Sequence, residues 1–214
     1  MAVNLVVRAE VIDVREDIPK ETDAFFVDTN VWFWLTYSRA SLSKDGPTDS
    51  QKHYPEYIKR CLDINSSLYR CELSAAEILH CIESCEFNIF KHTNHCYNLK
   101  KKEFRHNYPT LRKEVVEQTD VAWRQVKDIA SCTDLSMNEH TSQIVIEKAG
   151  EQLLDGYDFF ILEAMLKAGI NKIVTDDLDF VTVPNISVFT SNASSLAAAR
   201  EQGKLASRYT TTNC

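Results

Sequence analysis

Short apolar runs alternate along the chain with longer segments in which apolar residues recur at helical spacing. The runs at 24–27 (AFFV), 171–175 (NKIVT) and 185–190 (NISVFT) are bounded by polar residues, which is typical of buried parallel strands. Residues 3–14 favour another strand through an imperfect alternation of valines with polar side chains, and residues 67–74 also read as extended.

Helices are predicted between these runs. In residues 74–87, Ala75, Ile78, Leu79 and Ile82 have the i, i+3, i+4, i+7 spacing of a buried helix face. Further helices are predicted at 31–38, 54–65, 110–130, 141–152, 155–169 and 193–202. Strands that alternate with helices predict an α/β fold: a three-layer α/β/α sandwich around a central, mainly parallel sheet.

The 214 residues fit a single domain. We predict an N-terminal extension over 1–23 that supplies an edge strand, and a main domain over 24–200. Within that domain, a helical insertion is expected around 84–150, and residues 201–214 are expected to form a frayed tail.

Composition narrows the class of protein. The net charge of −7, from 31 acidic and 24 basic side chains, argues against a broad, non-specific nucleic-acid binder. No apolar stretch is long enough for a membrane span, and the first twenty residues do not resemble a signal peptide. Seven irregularly spaced cysteines are typical of reduced thiols, so we expect a cytoplasmic protein.

Several carboxylates lie where a strand ends or a helix begins. Asp28 directly follows the strand residues FFV, and Asp177 comes almost directly after IVT. Because ligands of parallel sheets bind beyond the carboxyl ends of the strands, both aspartates are expected at the functional edge. Glu77 and Asp158 lie near the starts of two predicted helices.

Each of these acids also has a purely structural interpretation. Asp28 or Asn30 would serve as an N-cap, and Asp155 or Asp158 would do so for the later helix. Ser74 and Glu77 have the spacing of a capping box. The remaining acids, Asp176, Asp177 and Asp179, would be compatible with a solvated turn.

Taken together, the order of these motifs is similar to that of PIN-domain nucleases, and most similar to VapC-type toxin ribonucleases. The matching stretches are hhhDTN (h, apolar), LSAAEIL and YDFFILEAMLKAGINKIVTDDLDF, within Phe25–Arg39, Leu73–Glu83 and Asp155–Thr190. Segment 84–150 and the residues before 24 have no counterpart in this resemblance. The resemblance implies a PIN-like fold and metal-dependent hydrolysis of RNA phosphodiester bonds by an endoribonuclease.

The resemblance also implies roles for individual residues. Asp28, Glu77, Asp158 and Asp177 correspond to the catalytic, metal-binding acids, and Asp179 to a fifth metal contributor. Asn30 and Thr175 correspond to residues that orient these acids, whereas Asp155 and Asp176 are local competitors for the ligand positions. Oxygen ligands without neighbouring histidine or cysteine favour Mg²⁺ or Mn²⁺, which would neutralise the mutual repulsion of the carboxylates.

A basic segment is the candidate RNA-binding surface. It contains Lys100, Lys101, Lys102 and Arg105, and the interleaved aromatic residues Phe104 and Tyr108 are candidates for stacking on unpaired bases. The alternative is a solvated basic loop.

Two other clusters favour structural interpretations. Cys81 and Cys85, near several histidines, lack the common spacing of structural zinc ligands, so packed thiols are expected. The aromatic set Trp32, Phe33, Trp34 and Tyr37 is expected in the core. The alternative interpretation of this aromatic set is a partner-binding face, since the resemblance implies that the chain binds an antitoxin protein and forms a homodimer.

Two further functions stay open at this point. One is a catalytically silent PIN-like scaffold that binds RNA or protein. The other is an aspartyl-phosphate hydrolase of the haloacid dehalogenase type, but such an enzyme needs an acid where this chain has Asn30.

Overall fold

A computed structural model describes residues 4–42 and 49–208. Seven strands form one sheet in the order β4-β3-β2-β5-β6-β1-β7, and every neighbouring pair is parallel. The strands are β1 Glu10–Asp13, β2 Ala24–Val27, β3 Ser67–Arg70, β4 Ser131–Cys132, β5 Lys172–Val174, β6 Ser187–Thr190 and β7 Leu205–Ala206.

Helices cover both faces of this sheet, which confirms the predicted three-layer α/β/α architecture. They are α1 Thr29–Thr36, α2 Asp49–Asp63, α3 Leu73–Thr93, α4 Lys101–Asn107, α5 Pro109–Ile129, α6 Glu139–Lys148, α7 Gly156–Lys167 and α8 Ala193–Glu201. Two short 3₁₀ helices cover Ala40–Leu42 and Asp179–Thr182. No helix among the described residues is long and apolar enough to cross a membrane.

The alternation of side chains along β2 divides the core into two clusters. Phe25 and Val27 point into a cluster that α1, α2, α3 and α5 cover, whereas Phe26 points into the cluster beneath α7 and α8. Both faces of the strand are therefore buried, which explains why its sequence is a continuous apolar run. In the first cluster, Trp32 is fully buried and Phe33 is nearly fully buried. This burial confirms the prediction that these two aromatic residues belong to the core.

Both terminal segments differ from the sequence predictions. β1 is not an edge strand, because β6 pairs with one side of it and β7 with the other. The predicted frayed tail is ordered as far as Arg208, whose guanidinium pairs with the buried carboxylates of Asp17 and Asp23. Residues 209–214 lie outside the described residues.

The segment predicted as a helical insertion is largely helical. It contains the second half of α3, α4, α5, the two-residue strand β4, and α6, and α3 packs along α5. The basic segment, for which a solvated loop was the alternative interpretation, contains a helix, α4.

The strand order places a topological switch point between β2 and β5. From β2 the chain moves outward to β3 and β4, whereas from β5 it moves the opposite way to β6. Loops that leave neighbouring strands in opposite directions open a crevice at the carboxyl ends, where α/β proteins bind ligands. Asp28 and Asp177 follow these two strands.

Candidate functional site

Asp28 is a helix cap, and it is also the centre of a group of four acidic side chains, Asp28, Glu77, Asp158 and Asp177, here called the carboxylate group. It lies between β2 and α1, and its Oδ1 accepts a hydrogen bond of 2.6 Å from the Thr29 backbone N–H. Its Oδ2 accepts from the Asn30 side-chain amide at 2.8 Å and from the Thr175 hydroxyl at 2.5 Å. The residue is only 7% exposed. Capping and a chemical role are therefore compatible in the same residue.

Thr175 connects Asp28 to the next acid. While the hydroxyl of this buried residue donates to Asp28, it accepts a hydrogen bond of 2.9 Å from the Asp177 backbone N–H. Asp177 in turn uses Oδ1 to accept from the Asp179 backbone N–H at 2.9 Å. The turn after β5 is thus organised around a threonine that touches both sides of the site.

Glu77 reaches the group from α3. The Thr29 hydroxyl donates a short hydrogen bond to Glu77 Oε2, so consecutive residues of the DTN motif contact two different acids. The capping-box interpretation is wrong: α3 begins at Leu73, and Ser74 is a buried residue within its first turn that makes no cap contact with Glu77. The role of Thr29 was missed, although its position between Asp28 and Asn30 was a signal for it.

Asp158 approaches from the first turn of α7, where it is 9% exposed. The N-cap of that helix is Asp155, whose Oδ1 accepts from the backbone N–H groups of Tyr157 and Asp158. Asp158 is therefore not needed as a cap. Asp155 nevertheless contributes to the site: burial is the main reason why the pKa values of Glu77, Asp158 and Asp179 are raised, and the charge of Asp155 acts in the same direction on each.

Of the three acids after β5, Asp176 points elsewhere. Its Oδ1 accepts a hydrogen bond of 2.7 Å from the Tyr54 hydroxyl, and its carbonyl accepts from the Asn192 side-chain amide at 3.0 Å. Asp179 begins the second 3₁₀ helix, at the margin of the group, and burial together with the charge of Asp177 raises its pKa.

The pKa values of three of these acids are raised, because the carboxyl groups are buried and lie near one another. Burial raises the pKa of Asp28 to about 7, and the charges of Glu77 and Asp177 act in the same direction. Burial also raises the pKa of Asp158 to about 8, with further contributions from Asp28, Asp155, Asp177 and Glu77. The pKa of Glu77 is raised as well, chiefly by burial. Carboxyl groups with pKa values near neutrality are typical of functional sites.

The donor set fits a hard divalent cation. The four principal acids supply only oxygen ligands, and beside them Asn30 Oδ1 is a buried amide oxygen without a hydrogen-bond partner. Across residues 4–42 and 49–208, however, no three acidic, histidine or cysteine side chains converge closely enough to form a ready metal site. Mutual repulsion, on the order of 4 kcal/mol for a pair at ~4 Å, opposes that convergence. Holding an ion therefore requires these side chains to move closer together.

The basic segment differs in part from its predicted role. The Arg105 guanidinium is paired with the buried carboxylate of Glu83, which also binds Arg112. Phe104 is 2% exposed and packs against Phe87 and Phe90, so it is not free to stack on a base.

The three lysines of this segment have different surroundings. Lys101 donates a hydrogen bond of 2.6 Å to the Ser84 hydroxyl, and its charge acts on Cys81, one helical turn from Glu77. Lys100 and Lys102 are exposed. Lys101 is therefore the lysine of this segment whose side chain contacts α3, the helix that carries Glu77.

The described cysteines are unpaired thiols, and none joins a metal-binding group within the part of the chain that the structure describes.

Comparisons of this chain with protein-family models, with curated proteins and with solved structures found no match.

Proposed function

We propose that this chain is a metal-dependent endoribonuclease with a PIN-like architecture. The observation that carries the proposal is the assembly of Asp28, Glu77, Asp158 and Asp177 at the switch point of a parallel sheet, where burial and mutual repulsion raise the pKa of Asp28 and Asp158. The motif order that resembles the PIN nucleases is an independent argument from sequence for the same activity.

In this proposal the four acids, with Asp179 at the margin, hold Mg²⁺ or Mn²⁺. A bound ion would neutralise the carboxylates, lower the pKa of an attacking water and stabilise the oxygen that leaves the phosphorus. The chain's own contribution is orientation: Thr175, Asn30 and Thr29 fix Asp28 through three hydrogen bonds, and Thr29 also holds Glu77. Such outer partners keep ligand oxygens aimed at one position.

Phosphate groups of the RNA need positive charge near the acids. Lys101 has the position for this role because it lies beside Ser84, two helical turns from Glu77 on α3. Lys100 and Lys102 extend the positive surface from the same segment, whereas the charge of Arg105 is largely compensated by Glu83.

We further propose that the chain is the toxin of a toxin–antitoxin pair. Its partners would be a protein antitoxin and a second copy of the chain, with which it forms a homodimer. This assignment rests on the resemblance to VapC-type ribonucleases alone. We propose a cytoplasmic location because the thiols are unpaired, as in proteins of reducing compartments.

Purified protein incubated with total cellular RNA and Mn²⁺ tests the proposal. Mapping of the cut ends is expected to show 5′-phosphates and 3′-hydroxyls at defined sites. Asp28→Asn and Asp177→Asn are each expected to abolish cleavage, whereas Asp128→Asn, the same chemical change at an exposed helix position, is expected to retain it. Cleavage that survives in both site variants would refute the assignment.

A catalytically silent PIN-like scaffold is the second candidate. The observation in its favour is that no three ligand side chains converge among the described residues. It predicts RNA or protein binding without any cleavage in Mn²⁺, and the same incubation, combined with a binding measurement, distinguishes the two functions.

A further inference from the structure

Tyr54 is a fully buried tyrosine whose hydroxyl lies at the carboxyl ends of β5 and β6. It donates toward Asp176 Oδ1 at 2.7 Å and the Thr175 carbonyl at 3.2 Å, and it accepts from the Ser191 backbone N–H at 3.0 Å. The Thr190 hydroxyl lies 2.9 Å away. A phenol has one proton and two acceptor sites, so these neighbours use its full hydrogen-bonding capacity.

The segment that Tyr54 holds is the one that connects two of the proposed metal ligands. Thr175 donates its hydroxyl to Asp28 and accepts from the Asp177 N–H, while Tyr54 contacts the carbonyl of Thr175 and the side chain of Asp176. From the other side, the Asn192 amide donates to the Asp176 carbonyl. A shift of this segment would therefore change the separation of Asp28 and Asp177.

The surroundings of Tyr54 restrict its movement. Its ring stacks on Trp34 of α1, with centroids 5.4 Å apart and planes inclined by 30°. Since α1 begins at the Asp28 cap, this contact joins α2 to the helix that carries the first acid. Tyr54 thus contacts elements on both sides of the crevice between β2 and β5.

Tyr57, one turn further along α2, provides an internal comparison. It is also fully buried, and its hydroxyl donates to Asp17 Oδ2 at 2.6 Å. Its ring packs against Phe25 and Phe189, and its hydrogen-bond partner belongs to the ion-pair network around Arg208. The two tyrosines share a helix, burial and a carboxylate partner, but only the hydroxyl of Tyr54 contacts the residues that join the acids.

We propose that Tyr54 is a positioning residue of the metal centre, which holds Thr175–Asp177 so that Asp28 and Asp177 can bind the same ion. The proposal rests on the proposed function, because it assumes that these acids bind a divalent cation. In this proposal α2 supplies no ligand, but it affects the metal affinity of the site through Tyr54.

Tyr54→Phe and Tyr57→Phe test this proposal in the full chain. Each change removes one buried hydroxyl and is expected to destabilise the fold by a similar amount. Only Tyr54→Phe is expected to weaken Mn²⁺ binding, by about tenfold in calorimetric titration. Loss of a group bonded directly to a ligand costs about 10–100-fold in metal affinity, and we expect the lower end of that range because Tyr54 acts on Asp28 and Asp177 through Thr175 and Asp176. On RNA, the same variant is expected to lower kcat while KM stays within about twofold of the wild-type value.

A second pair of variants applies if Tyr54→Phe does not fold. Asp176→Asn retains an oxygen acceptor for the Tyr54 hydroxyl, whereas Asp176→Leu does not, and both remove the same charge. We expect the leucine variant to bind Mn²⁺ about tenfold more weakly than the asparagine variant.

The outcomes separate the two proposals. A wild-type protein that binds no Mn²⁺ overturns the proposed function and, with it, this inference. If the wild type binds Mn²⁺, the inference alone is overturned by either of two results: unchanged affinity in Tyr54→Phe, or an equal loss of affinity in Tyr57→Phe. In the second pair, equal affinity of the two Asp176 variants overturns it.

Discussion

Replacing Asp28 by asparagine is expected to stabilise the metal-free protein above neutral pH. Asp28 is 7% exposed, and burial raises the pKa of its carboxyl from 3.8 to about 7 on folding. A shift of ~3 pH units corresponds to about 4 kcal/mol, because each unit is worth 1.36 kcal/mol. Because the folded pKa lies above the unfolded value, the folded state binds more protons between pH ~4 and ~7, and stability falls as the pH rises through that window.

Asparagine removes this ionisation cost but retains only one acceptor oxygen. Three donors converge on the Asp28 carboxylate, from Thr29, Asn30 and Thr175, so at least one of them loses a good partner. That loss costs about 1–3 kcal/mol. The net gain for Asp28→Asn is therefore expected to be about 2 kcal/mol at pH 8, with no gain or a small loss at pH 5, where the wild-type carboxyl is mostly protonated.

Urea unfolding in EDTA at pH 5 and pH 8 measures both differences. Asp128→Asn is the matched control, because its exposed side chain predicts a change within about 0.5 kcal/mol at either pH. If Asp28→Asn were less stable than wild type at pH 8, or if its effect were the same at both pH values, the argument from carboxylate crowding would be refuted.

Three further predictions concern metal, tail and RNA. Millimolar Mg²⁺ or Mn²⁺ is expected to raise the Tm of the wild type, and less so that of Asp28→Asn; no shift in either protein would contradict a cation site. Arg208→Met leaves Asp17 and Asp23 without their shared guanidinium and is expected to cost about 3 kcal/mol in urea unfolding; a loss below ~1 kcal/mol would show that the tail does not stabilise the fold. Lys101→Met is expected to weaken RNA binding and to lower its salt slope by about 1, and an unchanged slope in a salt titration would exclude a phosphate contact.

Local pattern was sufficient to predict the strands and helices that bury a continuous face. The runs that became β2, β5 and β6 are apolar because the sheet is covered on both sides, and α3 and α7 show clear helical periodicity or caps. β4 and β7 were missed because each has two residues and exists only through its pairing partner.

Contacts between residues far apart in the sequence explain why the basic segment differs from its predicted role. The pairing of Arg105 with Glu83, 22 positions away, depends on how α4 folds back against α3. The burial of Phe104 follows from the same packing. Motif order located the acids, because they follow strands or begin helices, but it contained no signal for Tyr54, which meets Asp176 across 122 positions.

The position of β1 in the sheet has a consequence for the order of folding during synthesis. Its only strand partners among the described residues, β6 and β7, come from the far end of the chain, and Glu10 pairs with Ser187 across 177 positions. Because a ribosome makes β1 before β6 and β7, this strand stays unpaired while the segments between them are synthesised. The loop with Asp177 also emerges late. A nascent chain is therefore expected to lack both a complete sheet and a complete carboxylate group until β5, β6, β7 and the loop with Asp177 have been made.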